Sequence, residues 1–239
     1  MKRDIIAFSV GICLLILSCL VAVPRVVPIF SATEFKETPT LILDAGHGGE
    51  DGGATTASGH KESDINLSVV LKLESLMAFL GVDTVLTRDQ DISIHDPGCQ
   101  TLREKKVSDL QNRVRLIQNT PNAMVISVHQ NTFTDSRYQG AQVFYNTGDV
   151  SAQWGAYTQE QIRITLDPEN GRKAALIPEH VYLFQHISCP SILVECGFLS
   201  NGEEASLLLT DTYQRKLAMT IAGAYLNELQ MIPNPLGGE

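Results

Sequence analysis

Apolar positions recur along the chain in two rhythms, short β-type runs and longer stretches with a single apolar stripe. Thr40–Asp44 is a short apolar run that breaks into Ala45-Gly46-His47-Gly48-Gly49, a strand passing into a loop. From Ile65 to Leu80 the residues Leu67, Val70, Leu71, Leu73, Leu76, Met77 and Leu80 keep helical spacing, and Gly81 ends the pattern. Val82–Thr87 reads as a strand, and Leu102–Gln118 as a helix with Val107, Leu110, Val114 and Ile117 on one stripe. Ala123–Val128 and Ala141–Tyr145 read as strands, Ser151–Ile164 as a helix, and Tyr182–Phe184 and Ser191–Val194 as short strands. Thr212–Leu229 closes the series as an amphipathic helix. Strands alternating with helices of this length predict an α/β fold: a twisted, mostly parallel sheet flanked by helices on both faces.

One run follows neither rhythm. Ile5–Val23 is 19 uncharged residues, preceded by Lys2 and Arg3 and closed by Pro24 and Arg25. That is a basic region followed by a membrane-length segment, and the leading positive charge places the chain beyond it outside the cytoplasm. Ser31 and Ala32 make a poor cleavage site, which favours an uncleaved membrane anchor. Residues 1–32 are therefore expected as signal or anchor and linker, 33–232 as a single domain, and 233–239 as a tail.

Hydrophobic residues are 44% and charged residues 19%, a composition that builds a core and excludes a disordered polymer. Beyond residue 32 the chain has 15 basic against 26 acidic residues, which argues against a nucleic-acid binder and tolerates a metal ion. Cys99, Cys189 and Cys196 are odd in number and have no C-x-x-C spacing, so no disulfide framework or cysteine metal site is expected.

In open α/β sheets functional groups gather at the carboxyl ends of strands. His47 follows the first strand, His129 ends a middle strand, and Glu195 ends a late one. Glu62 stands at the start of the Ile65 helix. Two imidazoles and a carboxylate suffice for a catalytic zinc, which keeps its fourth position for water, and Asp44 is a candidate to accept a ring N–H from a ligand. Each element has an ordinary reading too: a hydrogen-bonded histidine, or a glutamate favouring a helix N-terminus. Glu195, directly after a β-branched run, suits a general base, with a buried ion pair to Arg88 or Arg113 as its competitor.

The blocks LDAGHGGEDGGA (43–54), KESDINL (61–67), LTRDQD (86–91), SVHQN (127–131), GAQVFY (140–145) and ILVECGFLSN (192–201) resemble the zinc-dependent N-acetylmuramoyl-L-alanine amidases, in order, from about Thr40 to about Leu229. The stretch REKKVSDLQNR (103–113), the single catalytic domain and the N-terminal anchor look most like the CwlD-type branch of spore formers. The resemblance implies one Zn2+ per chain on His47, Glu62 and His129, with Glu195 as the catalytic glutamate. It implies hydrolysis of the amide between N-acetylmuramic acid and L-alanine in peptidoglycan, in preparation of the muramic lactam of spore cortex that germination enzymes recognise. Asn131 and Gln130, flanking His129, and Arg88 are expected to contact substrate. The expected partners are glycan strands with stem peptides, the membrane through residues 1–32, and a protein activator if activity needs one. The expected location is the outer face of the cytoplasmic membrane or the wall and cortex space. Two other classes remain: a zinc carboxypeptidase-like hydrolase of stem peptides, and a non-catalytic wall-binding module.

Overall fold

The computed structural model describes residues 39–231; the expected anchor at 1–32 and tail at 233–239 lie outside them. Six strands form one sheet in the order β2-β1-β3-β6-β4-β5. They are β1 (Thr40–Ala45), β2 (Thr84–Leu86), β3 (Ala123–Asn131), β4 (Gln142–Tyr145), β5 (Ala175–Leu176) and β6 (Ser191–Phe198). The helices are α1 (Glu62–Phe79), α2 (Leu102–Gln118), α3 (Asp149–Thr165), α4 (Tyr182–Gln185), α5 (Gly202–Leu208) and α6 (Asp211–Met231). The strands β2, β1, β3 and β6 are mutually parallel, whereas β4 runs antiparallel to β6 with β5 parallel to β4. The sheet is thus mostly parallel, as expected, and mixed through the single antiparallel pairing of β4 with β6. Among the described residues no helix is long and apolar enough to cross a membrane.

Period-two alternation divides the strand side chains between two cores. Leu41, Leu43, Met124, Ile126, Val128, Ile192 and Val194 pack with α1, α3 and α6, where Leu73, Met77, Trp154, Ile221 and Tyr225 are fully or almost fully buried. On the other face Ile42, Val125 and Leu193 pack with Val114 and Ile117 of α2 and Leu183 and Phe184 of α4. This second face changes character along the strands. Ile42 gives way to Asp44, Val125 to Ser127 and His129, and Leu193 to Glu195. The first face stays apolar through Ala45, Val128 and Cys196 and carries one polar residue, Gln130, at the end of β3. It is therefore chiefly the second side of the sheet that turns polar toward the carboxyl ends.

Three expectations about elements change. Tyr182–Phe184 is a helical turn, because Leu183 and Phe184 both reach the second core from one side of the chain. Helix α5 was not anticipated. It starts at Asn201, whose side-chain oxygen accepts from the Glu203 and Glu204 N–H groups. Strands β3 and β6 run on past His129 and Glu195, so both residues lie within strands rather than at their ends.

Candidate metal centre

The turn after β1 brings the chain back over the polar part of the second face. His47 holds a left-handed φ of 61°, a conformation that costs a non-glycine residue about 1 kcal/mol. Two buried arginines hold the turn in place. Arg113 Nη2 donates to the His47 carbonyl at 2.7 Å, and its Nη1 donates to the Ala45 carbonyl at 2.8 Å. Arg88 donates through Nε to the Ala45 carbonyl and through Nη2 to those of Gly46 and Ser63. At Gly46 a Cβ would lie 2.1 Å from His129 Nε2, and at Gly53 a Cβ would lie 2.5 Å from Glu62 Oε2. Only glycine lets the backbone press this closely on both side chains.

The result is a convergence of three groups. His129 Nδ1 lies 3.0 Å and His47 Nε2 3.3 Å from the same oxygen, Glu62 Oε1, and the three candidate ligand atoms lie within 4.8 Å of one another. Neighbouring ligand atoms on a tetrahedral zinc stand roughly 3.4 Å apart, and two imidazoles with one carboxylate are a catalytic zinc set. The residues therefore fit the ion. Their outer contacts are built as well. His47 Nδ1 bonds Asp51 Oδ2 at 2.9 Å, which turns Nε2 toward the centre. Glu62 Oε2 accepts from the Ala54 N–H at 2.8 Å. Burial disfavours charge on His47, but the Asp51 and Glu62 carboxylates outweigh it and raise its pKa to about 9. Burial alone would raise Glu62; the His129 and His47 rings instead hold it well below the carboxylate range.

Glu195 stands beside this group because β6 pairs in register with β3, Glu195 opposite His129. Its Oε2 is buried and accepts no hydrogen bond. Burial raises its pKa to about 7. Neither rival partner is available to it. Arg113 pairs with Asp44 at 2.6 Å and Asp109 at 2.7 Å, and Arg88 is spent on backbone carbonyls. A cleft of about 420 Å³ gives access to the group, lined by His47, Asp51, Lys106, His129, His180, Tyr182 and Glu195 among others.

Several side chains lie elsewhere than expected. Arg88 is buried beneath the turn and supports it, so it does not face substrate. Gln130 alternates onto the opposite face, where its Nε2 donates to Asn66 Oδ1 at 3.1 Å. Asn131 keeps a partly exposed position at the end of β3, its Oδ1 turned to the Thr132 N–H. Asp44 does not orient a histidine ring; Arg113, Thr87 and Ser127 occupy it. That orienting part belongs to Asp51, four residues beyond His47, which sequence reasoning passed over. His180, assigned no part from the sequence, lines the cleft. His60 and His95 bond nearby serines, and His186 stacks on Tyr182.

A family model described as N-acetylmuramoyl-L-alanine amidase matches residues 41–227. The chain belongs to this amidase family. Among its relatives, the germination-specific N-acetylmuramoyl-L-alanine amidase of Bacillus subtilis is 35% identical over 184 residues, 76% of each chain. The amidase AmiA of Escherichia coli is 26% identical over an alignment covering 81% of this chain and 77% of its own. The structure of the CwlD amidase from Clostridioides difficile, solved in complex with the GerS lipoprotein, superposes with a TM-score of 0.77 at 38% identity. That match covers 81% of this chain and 99% of the other. All six sequence blocks of this amidase fall within the matched residues, including those that carry His47, Glu62, His129 and Glu195.

Proposed function

We propose that this amidase hydrolyses the amide between the lactyl group of N-acetylmuramic acid and L-alanine, with zinc held by His47, Glu62 and His129 and with Glu195 as general base. The observation that carries the reading is the buried, unpartnered Glu195 Oε2, whose residue lines the same cleft as His47 and His129, two of the three converging candidate ligands. Zinc bound there supplies Lewis-acid polarisation of the substrate carbonyl and activation of a water nucleophile. Glu195 takes the proton of the attacking water on a carboxylate whose raised pKa suits proton transfer near neutrality. The same carboxyl then delivers that proton to the departing amine of L-alanine. Asp51 keeps the His47 ring turned toward the ligand set, and the two arginine clamps keep the turn from relaxing away from it.

The similarity to the germination-specific amidase supports a place in spore cortex maturation. The proposed organisation is an exported catalytic domain, 33–232, tethered at the membrane by residues 1–32. The complex recorded for the C. difficile relative supports a lipoprotein partner for this chain as well. The test is zinc analysis of the purified full chain together with digestion of defined muropeptides. About one zinc per chain and release of intact stem peptides beginning with L-alanine are expected. Release of the carboxyl-terminal amino acid would instead indicate a carboxypeptidase, and binding to wall without any cleavage a non-catalytic module; either overturns the assignment.

A further inference from the structure

Strand β4 runs antiparallel to β6 with Gln142 directly opposite Glu195. Side chains so paired share a face, with Cβ atoms about 5 Å apart. Gln142 is therefore the next group along the sheet from the general base, on the side away from His129. Its Oε1 accepts from Arg172 Nη1 at 3.1 Å. Arg172 is held from two further directions: Nε donates to the Gln139 carbonyl at 2.8 Å, and the guanidinium carbon sits 4.6 Å above the Phe198 ring centroid. The guanidinium is thus fixed in orientation, with Nη2 left over.

Among the described residues some cations near the site are ion-paired and others, Arg88 and Lys173 among them, are not. Lys106 is paired with Asp51, Arg113 with Asp44 and Asp109, and Arg137 with Asp135. Among the described residues Arg172 has no carboxylate within ion-pair distance, in a chain of net charge −9. Glu204 feels the Arg172 charge, but its oxygens accept from the Gly140 and Phe198 N–H groups. An arginine oriented by three contacts and without a direct ion pair is suited to a carboxylate brought by a ligand. The proposed substrate, on whose identity this step rests, supplies one. In a stem peptide whose second residue is D-glutamate linked through its side chain, the α-carboxylate stays free. It lies two residues beyond the scissile amide, about 7 Å along an extended chain, comparable with one strand spacing of about 4.8 Å plus part of a side chain.

We infer that Arg172, positioned by Gln142 and Phe198, is a specificity determinant of this amidase that binds the free α-carboxylate of the second stem-peptide residue. The departing peptide then runs across the sheet from Glu195 toward β4 and β5.

The test compares N-acetylmuramoyl-L-alanyl-γ-D-glutamyl-diaminopimelate with its isoglutaminyl counterpart; the γ-carboxyl is tied to the third residue in both, and only the second has an amide in place of the free α-carboxylate. The full-length zinc-loaded protein is expected to favour the free acid by about tenfold or more in kcat/KM, chiefly through KM. Arg172→Ala is expected to bring the ratio close to one while zinc content stays at the wild-type level, and Arg172→Lys to restore part of it. A wild-type ratio near one overturns the inference, whether or not the variant folds, and so does a ratio that survives Arg172→Ala. In both cases the amidase assignment stands. Failure of the wild-type chain to cleave either substrate removes the assignment, and this inference with it.

Discussion

Single side chains in this protein separate holding the centre from performing its chemistry. Glu195→Gln keeps the shape of the side chain and removes the base. The expected result is a fall in kcat of about 100- to 10,000-fold with zinc content retained; a variant that turns over like wild type excludes Glu195 from proton transfer. Asp51→Ala frees the His47 ring, and zinc affinity is expected to drop about 10- to 100-fold, measured by competition with a chromophoric chelator. Asp44 serves structure instead. Burial alone would raise its pKa, but the Arg113 charge and the Ser127 and Thr87 hydroxyls outweigh it and hold the carboxyl down at about 2. A depressed carboxyl stabilises the fold fully above its ordinary value near 4 and loses that contribution as pH falls toward 2. Asp44→Asn leaves Arg113 short of a partner, so it is expected to cost about 3 kcal/mol at pH 7. Urea unfolding should show the gap from wild type narrowing as the pH is lowered from about 4 toward 2.

Elements were legible in the sequence where periodicity was long and obscure where it was short. Helices α1, α2, α3 and α6 and the central strands follow from their apolar spacing, which also places His47, Glu62, His129 and Glu195 near one end of the sheet. Alternation tells which residues share a face but not which helix covers it. The partners of Asp44, the burial of Arg88 and the turning away of Gln130 therefore became visible only with α2 and the loop before α1 in place. Three residues at 182–184 carry too little pattern to separate a strand from a helical turn. The direction of β4 was not legible either, since an isolated apolar run reads the same both ways. Glycines around the ligands are the element-scale counterpart of the site. Gly46→Ala pushes a methyl into the His129 ring, so loss of bound zinc is expected, with destabilisation of about 1–3 kcal/mol. Zinc stoichiometry and thermal unfolding of the same sample check both effects.

At the scale of the molecule the two sheet faces divide the work. One face is apolar almost to the carboxyl ends of the strands, where Gln130 meets Asn66, and packs against α1, α3 and α6. The other is apolar for half its length and polar for the rest, and the centre occupies the polar half. Ligand binding therefore adds to a fold that already has a large core. Stripping zinc with a chelator is expected to lower Tm by on the order of 10 °C while leaving a cooperative transition, since saturating ligand at about 1,000 times its Kd adds about 4 kcal/mol. Loss of all cooperative unfolding in the stripped protein would show that the ion builds the fold rather than joining it.

The reversed strand has a further consequence. Because β4 opposes β6, the connection from Thr132 to Ala141 need only hop across one strand at the rim, and the stretch leading into β5 lands beside it. These surface segments contribute none of the four side chains proposed to hold zinc and move the proton. Evolution, or an engineer, is free to lengthen or rewrite them, changing which wall fragments are accepted while the bond-breaking apparatus stays as it is.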